Sequence, residues 1–217
     1  MHKINLLIAD DHRLFRKAMV RLLKTFDRIG EVWEAENGKE CIEMVGQHPV
    51  QVLLLDLEMP RMNGVEAAET LIAKYPDLKI IVLTMHDSEK YMIHMLEMGV
   101  HSFLLKNAEP EELMDAIVSV MEKDFYHSEK LSKLLTKNLK EKLRKKRPSF
   151  KKTVNLTERE REILELICRE RTTKEISQQL SISEGTINVH KHNLQIKLGV
   201  KSVIGLIRFA YESGILR

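Results

Sequence analysis

Across residues 1–123, short apolar runs alternate with amphipathic stretches, each pair separated by a few turn-forming residues. This is the pattern of a repeated βα unit. β-rich runs at 4–9, 31–36, 52–55, 79–84 and 102–105 predict strands, and helical periodicity near 12–26, 38–47, 64–74, 88–98 and 110–122 predicts helices. The runs at 52–55 and 80–83 are continuously apolar, as expected of parallel strands covered on both faces. The prediction is therefore an α/β domain with a doubly wound, five-stranded parallel sheet. Phe15, Met19, Leu22 and Phe26 form the inward stripe of the first helix.

After residue 123 the strand signal ends. Residues 124–154 are polar and Lys-rich and are assigned as a linker. Within it Leu131, Leu134, Leu135, Leu139 and Leu143 recur at helical spacing, predicting an amphipathic helix over 128–145, and Lys142–Arg147 with Lys151 and Lys152 form a basic run around Pro148. Residues 155–217 predict a small all-α domain of four helices. Thr157 with Glu160, and Thr172 with Glu175, have capping-box spacing, and Ser183 is placed to cap a third helix from about 184 to 198. Two short helices joined through Ser181-Ile182-Ser183 make a helix-turn-helix. Ile187, Leu194 and Leu198 point inward, with His190 on that side, whereas Asn188, Val189, His192 and Gln195 face outward.

Charge divides the chain at the same place. Residues 1–123 carry 14 Lys/Arg and 21 Asp/Glu, whereas 124–217 carry 21 and 11. The basic half has the balance of a part that meets a polyanion. No apolar run approaches the roughly 18 residues of a membrane span. The N-terminus reads as entering a strand directly, without a secretory signal. Cys41 and Cys168 lie far apart in helical patterns and read as buried free thiols, so a cytoplasmic location is expected.

In an open α/β sheet, ligands gather beyond the C-terminal strand ends. Asp10 and Asp11 follow the first strand, Asp56 ends the third, Thr84 ends the fourth and Lys106 follows the fifth. Clustered carboxylates invite a hard cation such as Mg²⁺, which would neutralise an approaching phosphoryl group.

On these residues, positions 1–123 resemble the CheY-like receiver domain of two-component response regulators, with a flavodoxin-like fold. The resemblance implies that Asp56, within Leu-Leu-Leu-Asp-Leu-Glu-Met-Pro, accepts phosphate. It implies Mg²⁺ bound by Asp10, Asp11, Asp56 and the Glu58 backbone carbonyl, with Thr84 and Lys106 contacting phosphoryl oxygens. Phe103 then stands at the switch aromatic position and residues 88–122 cover the responsive surface, where Tyr91, Met92, Met95 and Leu96 either serve that surface or pack onto the sheet. Glu58 and His86 flank the pocket and bear on the attack of water on the phosphate. Lys106 is followed by Asn107 rather than proline, as in receivers of the NarL/FixJ type.

Residues 155–217 resemble the LuxR-type DNA-binding domain through Leu-Thr-x-Arg-Glu, Lys-Glu-Ile, Thr-Ile-Asn-Val-His and Lys-Leu-Gly-Val. That resemblance implies that Lys174 and Thr186 meet phosphates and that Asn188, Val189 and His192 approach bases. Asn188 replaces a frequent lysine and adds an amide able to read adenine. Arg171 replaces a frequent turn glycine and Ser177 a frequent alanine, which places strain in the first turn. The last helix, 201–213, exposes part of an apolar face that in this family forms a dimer contact. Together the two resemblances imply a DNA-binding transcriptional regulator. A sensor histidine kinase would phosphorylate Asp56, whereupon the chain forms a homodimer on double-stranded promoter DNA. It would be no enzyme beyond its own phosphorylation and dephosphorylation.

Two other readings stay open at this stage. An Mg²⁺-dependent phosphohydrolase of the haloacid-dehalogenase type would use Asp56 as nucleophile. Against it, Glu58 stands where that family has a second aspartate, and no segment resembles a substrate cap. A DNA-binding regulator with a vestigial receiver would have lost pocket residues, and none is lost.

Overall fold

The computed structural model of the chain describes residues 3–85, 89–126, 128 and 156–215. All but Ser128 of the helix expected at 128–145, the whole basic run from Lys142 to Lys152, and His86 lie outside the described residues. The first unit alternates strictly: β1 (Ile4–Ala9), α1 (Arg13–Leu23), β2 (Ile29–Ala35), α2 (Gly38–Gln47), β3 (Val52–Asp56), α3 (Gly64–Lys74), β4 (Lys79–Thr84), α4 (Glu89–Met98), β5 (Ser102–Leu105) and α5 (Pro110–Lys123). All strands are parallel, in the order β2-β1-β3-β4-β5.

The continuous apolar run of β3 resolves into two faces, because successive side chains point to opposite sides. Leu53 and Leu55 enter one apolar cluster, with Leu7, Val82 and residues of α2, α3 and α4. Val52 and Leu54 enter the other, with Ile8, Ile81 and α5 residues Leu113, Ile117 and Val120. Every residue of β3 is buried. This is why the strand shows no polar alternation.

Two expectations shift. β2 begins at Ile29 rather than 31, since the ladder runs through a register shift between Ile4 and Leu6. There Asn5 Oδ1 accepts from the Glu31 amide at 3.1 Å, beside Gly30. A Cβ at Gly30 would lie 2.4 Å from that oxygen, so the glycine permits the bulge instead of ending the strand. The inward stripe of α1 centres on Leu23, which is fully buried, with Phe15, Met19, Val20 and Phe26 around it; Leu22 falls outside that cluster. The helix stops at Leu23, and Thr25 Oγ1 caps the Leu22 carbonyl at 2.6 Å.

The second unit comprises α6 (Glu158–Cys168), α7 (Thr173–Leu180), α8 (Glu184–Leu198) and α9 (Val203–Ser213). Both expected capping boxes form, at Thr157/Glu160 and Thr172/Glu175, and Ser183 caps α8 through the Thr186 amide at 3.1 Å. Ile163, Ile167, Ile176, Ile187, Leu194 and Leu206 are buried together. The turn after α6 bends at Glu170, which takes a left-handed conformation (φ 58°), rather than at Arg171. The strain expected at Arg171 thus sits one residue earlier.

The units touch. α9 packs on α4, where Ser202 Oγ donates to the Leu96 carbonyl at 3.1 Å and Arg208 pairs with Glu97. The apolar face of α9, expected to be partly exposed, also packs on α6 and α8 of its own unit, and Val203, Ile204, Leu206 and Ala210 are buried.

Candidate functional site

The parallel registers align Ala9 with Leu55, Asp56 with Leu83 and Thr84 with Leu105, so the residues that end or follow these strands share one rim. Gly64, at the start of α3, brings that helix close to β3. A Cβ there would lie 2.0 Å from the Asp56 carbonyl oxygen, and its amide donates to the Leu57 carbonyl at 3.0 Å. The loop after Asp56 is held tightly over the rim as a result.

Asp10, Asp56 and Thr84 are buried, whereas Asp11 and Glu58 are exposed. Lys106 Nζ lies 2.8 Å from Asp10 Oδ2 and 2.8 Å from Asp56 Oδ2, bridging the two carboxylates. It also sits 5.2 Å from the centre of the Phe15 ring. Arg16 Nη1 donates to the Asp10 carbonyl at 2.5 Å and fixes the turn that carries both aspartates. Burial pushes the Asp56 carboxyl above its usual range, and Lys106 only partly offsets this. Burial alone would lower the Lys106 ammonium, but hydrogen bonds to Asp10 and Asp56 outweigh it and raise it. The result is a cationic lysine between two carboxylates in a mostly enclosed site.

Carboxylate oxygens of Asp10, Asp11 and Asp56 and a ring nitrogen of His12 all lie within 4.8 Å of one another. His12 was not singled out from the sequence; its place directly after the aspartate pair was the available signal. The oxygen-rich donor set fits a divalent cation. Glu58 also contributes its backbone amide to Asp56. Beside this rim, Leu57, Met59, Asn63, Val65, Thr84, Tyr91 and Phe103 line a cavity of about 550 Å³. Phe103 is buried at its edge, as are Met92, Met95 and Leu96 of α4, while Tyr91 is exposed.

In the second unit, Lys174, Thr186, Asn188, Val189 and His192 are all solvent-exposed, on α7 and α8. Val189 is 59% exposed, which packing does not explain. Lys191 differs from these neighbours. It is buried, with Nζ 2.5 Å from Asp124 Oδ2 and 2.6 Å from Thr173 Oγ1. Asp124 Oδ1 in turn accepts from Lys79 Nζ at 2.6 Å. Burial would raise the Asp124 carboxyl, but the two ammonium groups outweigh it and hold it at about 2. Sequence reading missed both residues. The signal for Lys191 was present, four residues after Ile187 and three before Leu194, on the inward face. His190, assigned inward, is half-buried. Asn188, Lys191, His192 and Gln195 line an interdomain cavity of about 800 Å³ together with Lys79, His101 and Asp124. The outward face of α8 is thus turned partly toward the first unit.

Residues 6–118 match the family model described as response regulator receiver domain, and residues 154–210 match that of the bacterial regulatory proteins, luxR family. The chain is 34% identical over 215 residues to the oxygen regulatory protein NreC of Staphylococcus carnosus, covering 98% of this chain and 99% of that protein. It is 33% identical over 210 residues to the transcriptional regulatory protein DegU of Brevibacillus brevis, covering 92% and 89%. Among solved structures it is similar to the two-component response regulator RcsB in complex with DNA, at TM-score 0.58 and 26% identity over 97% of this chain and 99% of that one. With the five-stranded receiver sheet and the capped helix-turn-helix in place, the chain belongs to the two-component response regulators, as a receiver joined to a LuxR-type DNA-binding domain.

Proposed function

We propose that Asp56 accepts a phosphoryl group from the phosphohistidine of a sensor kinase, and that its loading frees the DNA-binding unit to pair on promoter DNA. The observation that carries this reading is the bridging of Asp10 and Asp56 by Lys106 at the aligned strand ends. In the transfer the donor's P–N bond breaks and a P–O bond forms to an Asp56 carboxylate oxygen. Asp10, Asp11, Asp56 and the Glu58 carbonyl are the groups assigned to hold Mg²⁺, which when bound neutralises charge on the phosphoryl oxygens. Asp56 must present a free carboxylate oxygen, and Lys106 remains beside it as a cationic donor to the incoming phosphoryl group. Thr84, buried at the end of β4, is the hydroxyl assigned to follow. Its movement would reshape the cavity edge at Phe103 and Tyr91 and thereby α4.

α4 is also the helix that covers α9, so a shift there bears directly on the interdomain contact through Leu96 and Glu97. Release exposes α9 for pairing with a second copy and frees α8, on which Asn188, Val189 and His192 are assigned to base edges and Lys174 and Thr186 to phosphates. In this reading residues 1–123 act as the receiver, 124–154 as the linker and 155–217 as the DNA-binding domain. A cytoplasmic location accompanies it, supported by Cys41 and Cys168 being free rather than paired. Among the described residues no helix is long and apolar enough to cross a membrane.

Incubation with a small-molecule phosphoryl donor and Mg²⁺, followed by intact mass measurement, tests the first step. Wild type is expected to gain one phosphoryl group and Asp56→Asn none; an unmodified wild type overturns the reading.

A further inference from the structure

The cation site contains a nitrogen donor that the aspartates alone do not explain. His12 Nδ1 lies 2.8 Å from Asp11 Oδ1 and 3.3 Å from Asp10 Oδ1. Adjacent donors of an octahedral ion with bonds near 2.1 Å stand about 3.0 Å apart, so these separations bracket the edge of such a shell. The His12 amide also donates to Asp10 Oδ1 at 2.8 Å, tying the backbone that carries the ring to the same carboxylate.

Asp10 divides its two oxygens. Oδ2 faces Lys106, while Oδ1 faces His12. An ion on the Oδ1 side can take Asp10 and the imidazole together without displacing the lysine. His12 meets both carboxylates through its ring, and Asp10 through its amide as well. It occupies the N-cap of α1 yet makes no side-chain capping bond, and its side chain is 68% exposed.

Resting on the assignment of this rim as a cation site, we propose that His12 Nδ1 is a direct ligand of the bound divalent ion. The site is thereby tuned toward ions that accept nitrogen, such as Mn²⁺ and Co²⁺, relative to Mg²⁺. An all-oxygen shell suits Mg²⁺, whereas imidazole favours transition ions. The alternative use of the ring is a hydrogen bond to the Asp11 carboxylate, which would leave metal preference unchanged.

The experiment uses the full, tag-free chain. Mn²⁺ binding is followed by electron paramagnetic resonance, with spin-echo modulation to detect a coordinated imidazole nitrogen, and Mg²⁺ is measured by competition. The variants are His12→Ala and, as a control on the site itself, Asp10→Asn. The proposal expects imidazole modulation in wild type and its loss in His12→Ala. It also expects an approximately tenfold weaker Mn²⁺ affinity in that variant, with Mg²⁺ affinity changed less than about threefold. Stoichiometric Mn²⁺ binding that needs Asp10 but shows no imidazole modulation would overturn the role of His12 and leave the cation site standing. Failure of wild type to bind Mn²⁺ or Mg²⁺ at millimolar concentration would overturn both.

Discussion

Lys191, on the helix that carries the base-reading candidates, places its ammonium 2.5 Å from the carboxylate of Asp124, just beyond the last helix of the receiver. The same carboxylate holds Lys79 from the start of β4. Asp124 is the C-cap of α5 in a left-handed conformation (φ 68°), which turns its side chain into the interface. One acid thus joins the sheet, the end of the receiver and the DNA-binding unit.

Replacing Asp124 with asparagine leaves two ammonium groups facing a neutral amide. Removing one member of a desolvated charge pair at an interface costs about 2 kcal/mol or more. Domain closure is expected to weaken, and the unphosphorylated variant should bind DNA about tenfold more tightly than wild type, equivalent to about 1.4 kcal/mol. Unchanged DNA affinity would show that this clasp does not restrain α8.

Lys106→Met leaves Asp10 and Asp56 buried without their shared counterion. Stability is expected to fall by about 3 kcal/mol or more in metal-free buffer. Because a divalent cation can replace the lost charge, saturating Mg²⁺ should raise the melting temperature of this variant more than that of wild type. A variant with equal Mg²⁺ response would contradict the charge arrangement assigned to the rim.

Asp56→Asn is expected to act in the opposite direction. Burial raises the Asp56 carboxyl, so keeping it ionised at neutral pH opposes folding, while Lys106 retains Asp10. The variant should melt a few degrees higher, on the order of 1 kcal/mol, and differential scanning calorimetry without metal reads this directly.

His101 sets a pH dependence. Its Nδ1 accepts from the Ile80 amide at 3.1 Å, and burial, reinforced by Lys79 and only partly opposed by Asp124, lowers the imidazole to about 3 from an ordinary 6.5. The unfolded chain therefore takes up the proton first on acidification. The stability contributed by the neutral ring is complete above about pH 6.5 and is lost as pH falls toward about 3. The contribution of Asp124, held at about 2, is lost only below about pH 4. Urea midpoints should thus fall from pH 6.5 downward, and His101→Gln should flatten the slope between pH 6.5 and 4.5.

Much of the receiver was legible because its chemistry sits at strand ends, where apolar runs stop abruptly on Asp, Thr or Lys. Asp10, Asp56, Thr84 and Lys106 could be placed on one rim from that rule alone. The caps at Thr157, Thr172 and Ser183 were equally readable, since capping chemistry is local. What the sequence concealed was nonlocal. Lys191 sits at a core-facing position but reads as a surface cation, and the countercharge that goes with its burial lies 67 positions away. Asp124 looked like the first polar residue after a helix. The contact of α9 with α4 joins Ser202 to Leu96, 106 residues apart, and no periodicity within either helix encodes that meeting.

The central claim is that phosphate on Asp56 is transmitted to α8. Its most direct test is fluorescence-anisotropy binding to DNA from the gene's own upstream region, with and without Mg²⁺ and beryllium fluoride, for wild type and Asp56→Asn. Tighter binding confined to treated wild type is the predicted result. Equal, salt-sensitive binding in all four samples would contradict it, leaving a DNA-binding protein whose receiver does not act as a phosphate switch.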